Sequence, residues 1–288
     1  MIVKYVNHTR AEFTLYGDDL TFIDPMELHT WEWSYELANS ITGMGGSAQS
    51  FSQWPRTFSL ELRMRGRSRA HFYQQVNALA AVADADVIAR QPGRLTVIAP
   101  DGNAQYLSCY LAVAGDKPEH PRLSNFATRT VTVLAVAPYW VTETTTLINP
   151  STEEEQSSTL GKKYNLRYGY RYSTALSGNT VNNTHYTAAP AVITIYGPAA
   201  NPSVVIGGNT YAVNVTLLAT DRLVIDQITH EIYTVSGSGA KTNVFNNRDK
   251  THNIFAPIPT GENAVVYSGE FVLSVALIQR RSELLWTD

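Results

Sequence analysis

The run Arg129-Thr-Val-Thr-Val-Leu-Ala-Val-Ala137 constrains this chain most. Its alternation is that of a half-buried strand. Pro138 follows and has no backbone N–H to give a sheet, so the strand is expected to stop there. The aromatic pair Tyr139-Trp140 then reads as a domain exit, and a polar stretch and a second set of short apolar runs come after it. A chain of 288 residues supports two domains, each with its own core.

The runs on either side are mostly of period two. Met1–Val6, Phe13–Tyr16, Arg56–Arg65, Arg94–Ile98, Gln105–Val113 and Phe126–Val136 read as strands of the first half. Asp101-Gly102-Asn103 is a hairpin turn. In Leu28–Leu37, Trp31, Trp33 and Tyr35 alternate with Glu32, Ser34 and Glu36, giving a strand with one aromatic face. Asn39–Gln53, rich in Gly and Ser, reads as a flexible loop of about fifteen residues, a length at which loops are functional or disordered. One helix is expected. Ser68 is a good N-cap, and Phe72, Val76, Leu79, Ala80 and Ala83 form one stripe at helical spacing, so the helix covers about residues 69–83. Asp84 and Asp86 are read as a turn beyond it. From Pro190 onward there are only short strands and turns, the pattern of a β-sandwich.

The expected fold class is mainly β with one helix. Residues 1–146 form an N-terminal β-sandwich or split-barrel-like domain, 147–189 a polar linker or edge region, and 190–288 a C-terminal β-sandwich. Within 147–189 lie the acidic run Glu153–Glu155 and Tyr164, Tyr168, Tyr170 and Tyr172.

Charged residues make up 16% of the chain, below a norm of roughly 25%. Such a surface meets water or other protein through Thr, Asn, Ser and Tyr, and the 16 tyrosines suit either strands or contacts. A net charge of −3 gives no global attraction for nucleic acid or anionic membrane. The single cysteine, Cys109, fits a reducing cytosol, and no signal-peptide pattern or bilayer-length apolar run is expected.

No catalytic, cofactor or metal site is expected. The seven histidines lack metal-ligand spacing, and the Gly/Ser loops lack the context of a nucleophile elbow or a phosphate cradle. Glu32 and Glu36 could share a strand face as an acid/base pair, but a solvated polar face explains them as well. The unusual charges are Arg63, Arg65, Arg67 and Arg69, at every second residue into the helix start. They oppose the positive end of the helix dipole, so they seek anions: carboxylates of another chain, phosphate, or local partners at Glu61, Asp84 or Asp86.

The order of these features resembles the siphophage distal tail protein (Dit) family. The residues that carry the resemblance are the aromatic strand Trp31–Tyr35, the loop Gly43–Ser47, the strand–helix run Arg56–Val82, Gly93–Val97 and Thr130–Trp140. In the second half they are Pro190–Pro198, Asn201-Pro202, Asp221–Asp226, Gly261–Asn263 and Tyr267–Gly269. The resemblance implies a galectin-like C-terminal sandwich and a structural virion protein of the phage tail tip, made in the bacterial host cytoplasm. It implies a homo-hexamer ring between the tail tube protein and tail-tip, tail-fibre or receptor-binding proteins. DNA would pass the lumen without specific binding, and no membrane or enzyme activity is implied. A six-fold ring needs two different patches that match. Gly43, Gly45, Gly46 and Ser47, with Arg63, Arg65, Arg67 and Arg69, are assigned to one such patch. The alternative is a carbohydrate-binding module that reads the host cell wall with Tyr211, Tyr233 or Tyr267 exposed on one face.

Overall fold

The computed structural model describes all residues except 18–19, 30–31, 42–43, 115–124, 151–178 and 286–288, and for 113–114 the backbone alone. The chain divides into two compact units. The first is Met1–Thr142 with Arg280–Asp288, and the second is Glu143–Gln279. The return of the C-terminal segment to the first unit has no sequence signal. There the Gln105 side chain donates to the Leu285 carbonyl and accepts from the Leu285 N–H, at 3.1 and 3.0 Å.

The first unit begins with β1 (Ile2–Val6), β2 (Glu12–Tyr16) and the short β3 (Thr21–Phe22). A 3-10 turn at Pro25–His29 buries Leu28. Then come β4 (Ser34–Asn39), β5 (Gly46–Ser52), β6 (Arg56–Arg65), α1 (Arg69–Ala89), β7 (Gly93–Ile98), β8 (Ala104–Ala114) and β9 (Phe126–Ile148). The antiparallel order is β3-β6-β9-β8-β7-β1-β2. The short β3 at one end of this order reaches β2 at the other: the Thr21 hydroxyl donates to the Thr14 carbonyl at 3.0 Å. The sheet therefore curls back on itself as a split barrel. Inward positions alternate along each strand and include Leu60, Leu62, Met64, Leu95, Leu107, Val131, Val133 and Trp140, all at or near zero exposure.

Pro138 does not end its strand. Leu107 pairs with Trp140 and Cys109 pairs with Ala135, so Val136–Tyr139 bulge opposite the single residue Ser108. A proline at a bulge withholds no ladder hydrogen bond, and the shift returns Trp140 to the core side.

The Ser68 side chain caps α1 by accepting from His71 N at 3.2 Å. The helix runs to Ala89, past the expected end at 83, and stops at Arg90 in the left-handed conformation (φ 54°). Asp84 and Asp86 are thus helical. Asp86 is fully buried, and its carboxyl accepts from the Tyr5 hydroxyl, from His8 N at 2.9 Å and from His8 Nδ1 at 2.6 Å. These three donors, from residues distant in sequence, offset the cost of burying the carboxyl, so the helix continues through Asp86 where a turn was expected. Burial, reinforced by the Asp86 hydrogen bond, holds the Tyr5 phenol well above its ordinary range. Burial likewise pushes the neighbouring Cys109 thiol up to about 12, so that thiol is inert. Gly93 makes room for this cluster: a Cβ there would meet the Asp86 carboxylate and lie 2.5 Å from the Tyr5 hydroxyl. Gly93→Ala is expected to lower the first unit's melting temperature by about 5 °C or more, as for a few kcal/mol of overpacking, measured by calorimetry.

The second unit holds the end of β9, then β10 (Thr180–Asn183), β11 (Ala191–Tyr196), β12 (Ala199–Ala200), β13 (Ser203–Ile206), β14 (Asn209–Ala212) and β15 (Thr216–Leu217). It continues with β16 (Arg222–Asp226), β17 (Glu231–Val235), β18 (Lys241–Asn243), β19 (Gly261–Tyr267) and β20 (Val272–Arg281). The order β18-β17-β16-β11-β20 forms one antiparallel sheet and β10-β19-β13-β14 a second. Ile193, Ile195, Leu223, Ile225, Leu273 and Val275 from the first share a core with Val204, Ile206, Tyr211 and Val265 from the second. This is the expected sandwich. The Glu153–Glu155 run and Tyr164, Tyr168, Tyr170 and Tyr172 lie outside the described residues.

Candidate functional site

The segment read as a flexible loop is a strand. β5 pairs with β4 through six residue pairs from Ser34↔Ser52 to Asn39↔Gly46, with a bulge next to Glu36/Leu37. Together they form a two-stranded sheet of their own. Ser40 N donates to Gly45 O at 3.0 Å, and Gly45 has φ 78°, which closes the tip. Gly46 is also obligatory: a Cβ would sit 2.6 Å from the Ala38 carbonyl oxygen. Ser47 pairs with Ala38. Gly43 lies outside the described residues, as does Trp31.

This hairpin is an arm with two unlike faces. Tyr35 lies opposite Phe51 and Leu37 opposite Ala48 on one side, whereas Ser34, Glu36, Ser47, Ser50 and Ser52 take the other. The apolar side faces water: Tyr35, Leu37 and Phe51 are each more than 60% exposed, and Ile41 and Met44 stand at the tip more exposed still. An isolated two-stranded ribbon is marginal in water. An apolar face on such a ribbon marks a surface that some partner covers.

The arginine row occupies the far end of β6. Arg63 pairs across the ladder with Phe22 and Arg65 with Phe126, both half-exposed aromatics. Gly66 follows, and a Cβ there would fall 2.5 Å from the Phe72 Cβ, so the turn into α1 is tight. Arg63, Arg65, Arg67 and Arg69 are all exposed. Arg63 donates to Glu61 at 3.3 Å, an exposed pair of small energetic weight. Asp86 is committed to Tyr5 and His8, and among the described residues Arg65, Arg67 and Arg69 have no ion pair. The row and the arm sit at opposite ends of β6: Arg63 lies seven positions after Arg56, about 23 Å along the strand.

The other candidates do not converge. Glu36 is exposed on the arm and Glu32 lies before it, where its charge faces Arg56. Burial lowers the Arg56 guanidinium below its ordinary range, and Glu32 opposes that shift. Tyr211 is fully buried with its hydroxyl donating to Ala256 O at 2.8 Å, and Tyr267 donates to Asn149 O at 2.9 Å. Tyr233, on the other sheet, lies under the Lys241 ammonium at 3.7 Å. The three tyrosines form no common exposed platform. Among the described residues no group of three or more His, Cys, Asp or Glu could hold a metal, and no helix is long and apolar enough to cross a membrane.

No family model matches the chain, and no curated protein matches it. Solved structures do. The phage P2 baseplate in its activated conformation with calcium aligns over 99% of this chain and 100% of that one, at 13% identity and a TM-score of 0.61. The same baseplate with strontium aligns over 98% and 99%, at 14% identity and 0.61. The Dit protein of phage SPP1, described as a paradigm of the hub of the adsorption apparatus in phages infecting Gram-positive bacteria, aligns over 97% and 99%, at 10% identity and 0.56. The chain has the fold of phage baseplate and Dit hub proteins. That Dit-like fold spans both units. At these identities the side chains are this chain's own, so the arm and the arginine row are argued from their residues.

Two features were missed in the sequence. Phe51 was placed in a loop because its neighbours, Ser50 and Ser52, carry no strand signal. The Asp86–Tyr5–His8 cluster was missed as well, although an acid three residues after Ala83 in an apolar helical stripe was a usable sign.

Proposed function

We propose that this chain is a structural virion protein: a distal tail hub whose copies close into a six-membered ring that joins the tail tube to the tail tip or baseplate. The near-complete alignment of both units with baseplate and Dit hub structures carries this reading. The exposed apolar arm and the separate arginine row support it, because a heterologous ring needs two unlike patches on each subunit. Gly45, Gly46 and Ser47 shape the arm, and Arg63, Arg65, Arg67 and Arg69 form the other surface.

A first unit of about 145 residues has a radius of gyration near 15 Å and a diameter of roughly 40 Å, and six such discs in contact enclose a hole about one disc wide. Duplex DNA passes such a hole without specific binding. The chain works at the tail tip after synthesis in the host cytoplasm. Its partners are the tail tube protein on one side and tail-tip, tail-fibre or receptor-binding proteins on the other. It performs no catalysis. The glycan-binding alternative would need a tyrosine platform, and the buried Tyr211 weighs against one.

Arg65→Glu with Arg67→Glu is expected to block assembly, read by light scattering. Normal rings from that double variant would remove the arginine row from the interface.

A further inference from the structure

The arm leaves the body of the first unit after His29, at the end of the 3-10 turn, and returns to it at Gln53, directly after β5. One short stretch near the C-terminus reaches both of these roots. The Ser282 hydroxyl accepts from the Gln53 side chain at 2.9 Å, and Glu283 Oε1 lies 3.5 Å from His29 Nδ1. The stretch is itself firmly seated. Leu284 is 4% exposed and belongs to the core of the first unit. Gln105 is 2% exposed, and its amide oxygen and nitrogen are both bonded to the Leu285 backbone. A buried amide is costly unless its polar atoms find partners, so Gln105 is a fitted receptor for this piece of backbone. Just upstream, the Arg280 guanidinium lies 4.8 Å over the Tyr139 ring.

The arm does little to fix its own direction. A two-stranded ribbon is marginal by itself, and Tyr35, Leu37 and Phe51 face water. Its direction is therefore set where it joins the body. We infer that residues 282–285 are a clamp that sets the posture of the arm. Leu284 and Gln105 anchor the clamp in the barrel, while Ser282 and Glu283 hold the two roots. Lifting the clamp would leave the Gln105 amide buried without partners and empty the place of Leu284 in the core, so the clamp is closed at rest. The inference concerns a single chain and does not rest on the ring reading. It gives Gln105, which lies on β8 and outside the arm, a positioning role that acts on the arm through the C-terminal segment.

Time-resolved fluorescence anisotropy tests this on the full chain at nanomolar concentration, with a dye on Ile41→Cys at the exposed tip of the arm. The native Cys109 is buried and takes no dye. The double variant Gln53→Ala with Glu283→Ala, which frees the roots, is expected to raise the amplitude of nanosecond arm motion about twofold, and Gln105→Ala, which frees the clamp, is expected to do the same. Val133→Ala removes a buried barrel side chain outside the clamp and controls for lost stability alone. It is expected to leave the amplitude unchanged. An amplitude that stays at the parent value in both clamp variants, or that rises as much in Val133→Ala, would overturn the inference and leave the ring reading untouched.

Discussion

Replacing Tyr35, Leu37 and Phe51 together with serine should abolish ring assembly and leave each subunit folded. All three side chains already face solvent within the subunit, so the substitution removes no core contact. Burying an aromatic or leucine side chain of this size stabilises an interface by about 1.5–3 kcal/mol each. Even after discounting for the cost of ordering the ribbon, three such losses in every one of six contacts exceed what a closed ring tolerates. Sedimentation should show a subunit-sized species with an unchanged circular dichroism spectrum and melting temperature. A ring of unchanged stability would show that the arm is an ornament of the fold. A melting temperature lowered by more than a few degrees would show that the arm packs within its own subunit.

The second large effect is on the fold. Asp86→Ala would strip the acceptor from the Tyr5 hydroxyl, His8 N and His8 Nδ1, the first of them in the core of the first unit. A buried donor left without a partner costs about 1–3 kcal/mol. The expected loss is therefore about 3 kcal/mol or more, and the first unit's transition should fall by roughly 6–12 °C. Tyr5→Phe keeps the packing but removes the hydroxyl that donates to Asp86 and to the Cys109 carbonyl (3.2 Å), and because Asp86 keeps both His8 donors it should cost less than half as much. Equal effects of the two substitutions would mean that Asp86 serves Tyr5 alone and that His8 contributes nothing.

Much of the architecture could be read from patterns that sterics and burial force on the chain. The alternation in β6 and β9 survives because each has one face in the barrel core, and the stripe of α1 survives because Phe72 and Leu79 fill that core. The turn Asp101-Gly102-Asn103 was visible because Gly102 has a positive φ. What stayed hidden depends on neighbours distant in sequence. β5 is a strand because β4 offers it a ladder, not because Gly46-Ser-Ala-Gln-Ser-Phe-Ser favours extension. Pro138 sits inside a strand because the facing chain leaves a bulge for it. Asp86 continues the helix because Tyr5 and His8, more than seventy positions earlier, supply its donors. The arginine row was legible as an oddity of spacing. Its separation from the arm was not, because that depends on how β6 runs between them.

The claim that this subunit is built to close with copies of itself is tested most directly by the mass of the purified full chain in solution, by native mass spectrometry across a range of concentrations. The account predicts a species of six times the 31.8 kDa of one chain. A single chain mass at every concentration, with the arm residues freely accessible to labelling, would contradict it.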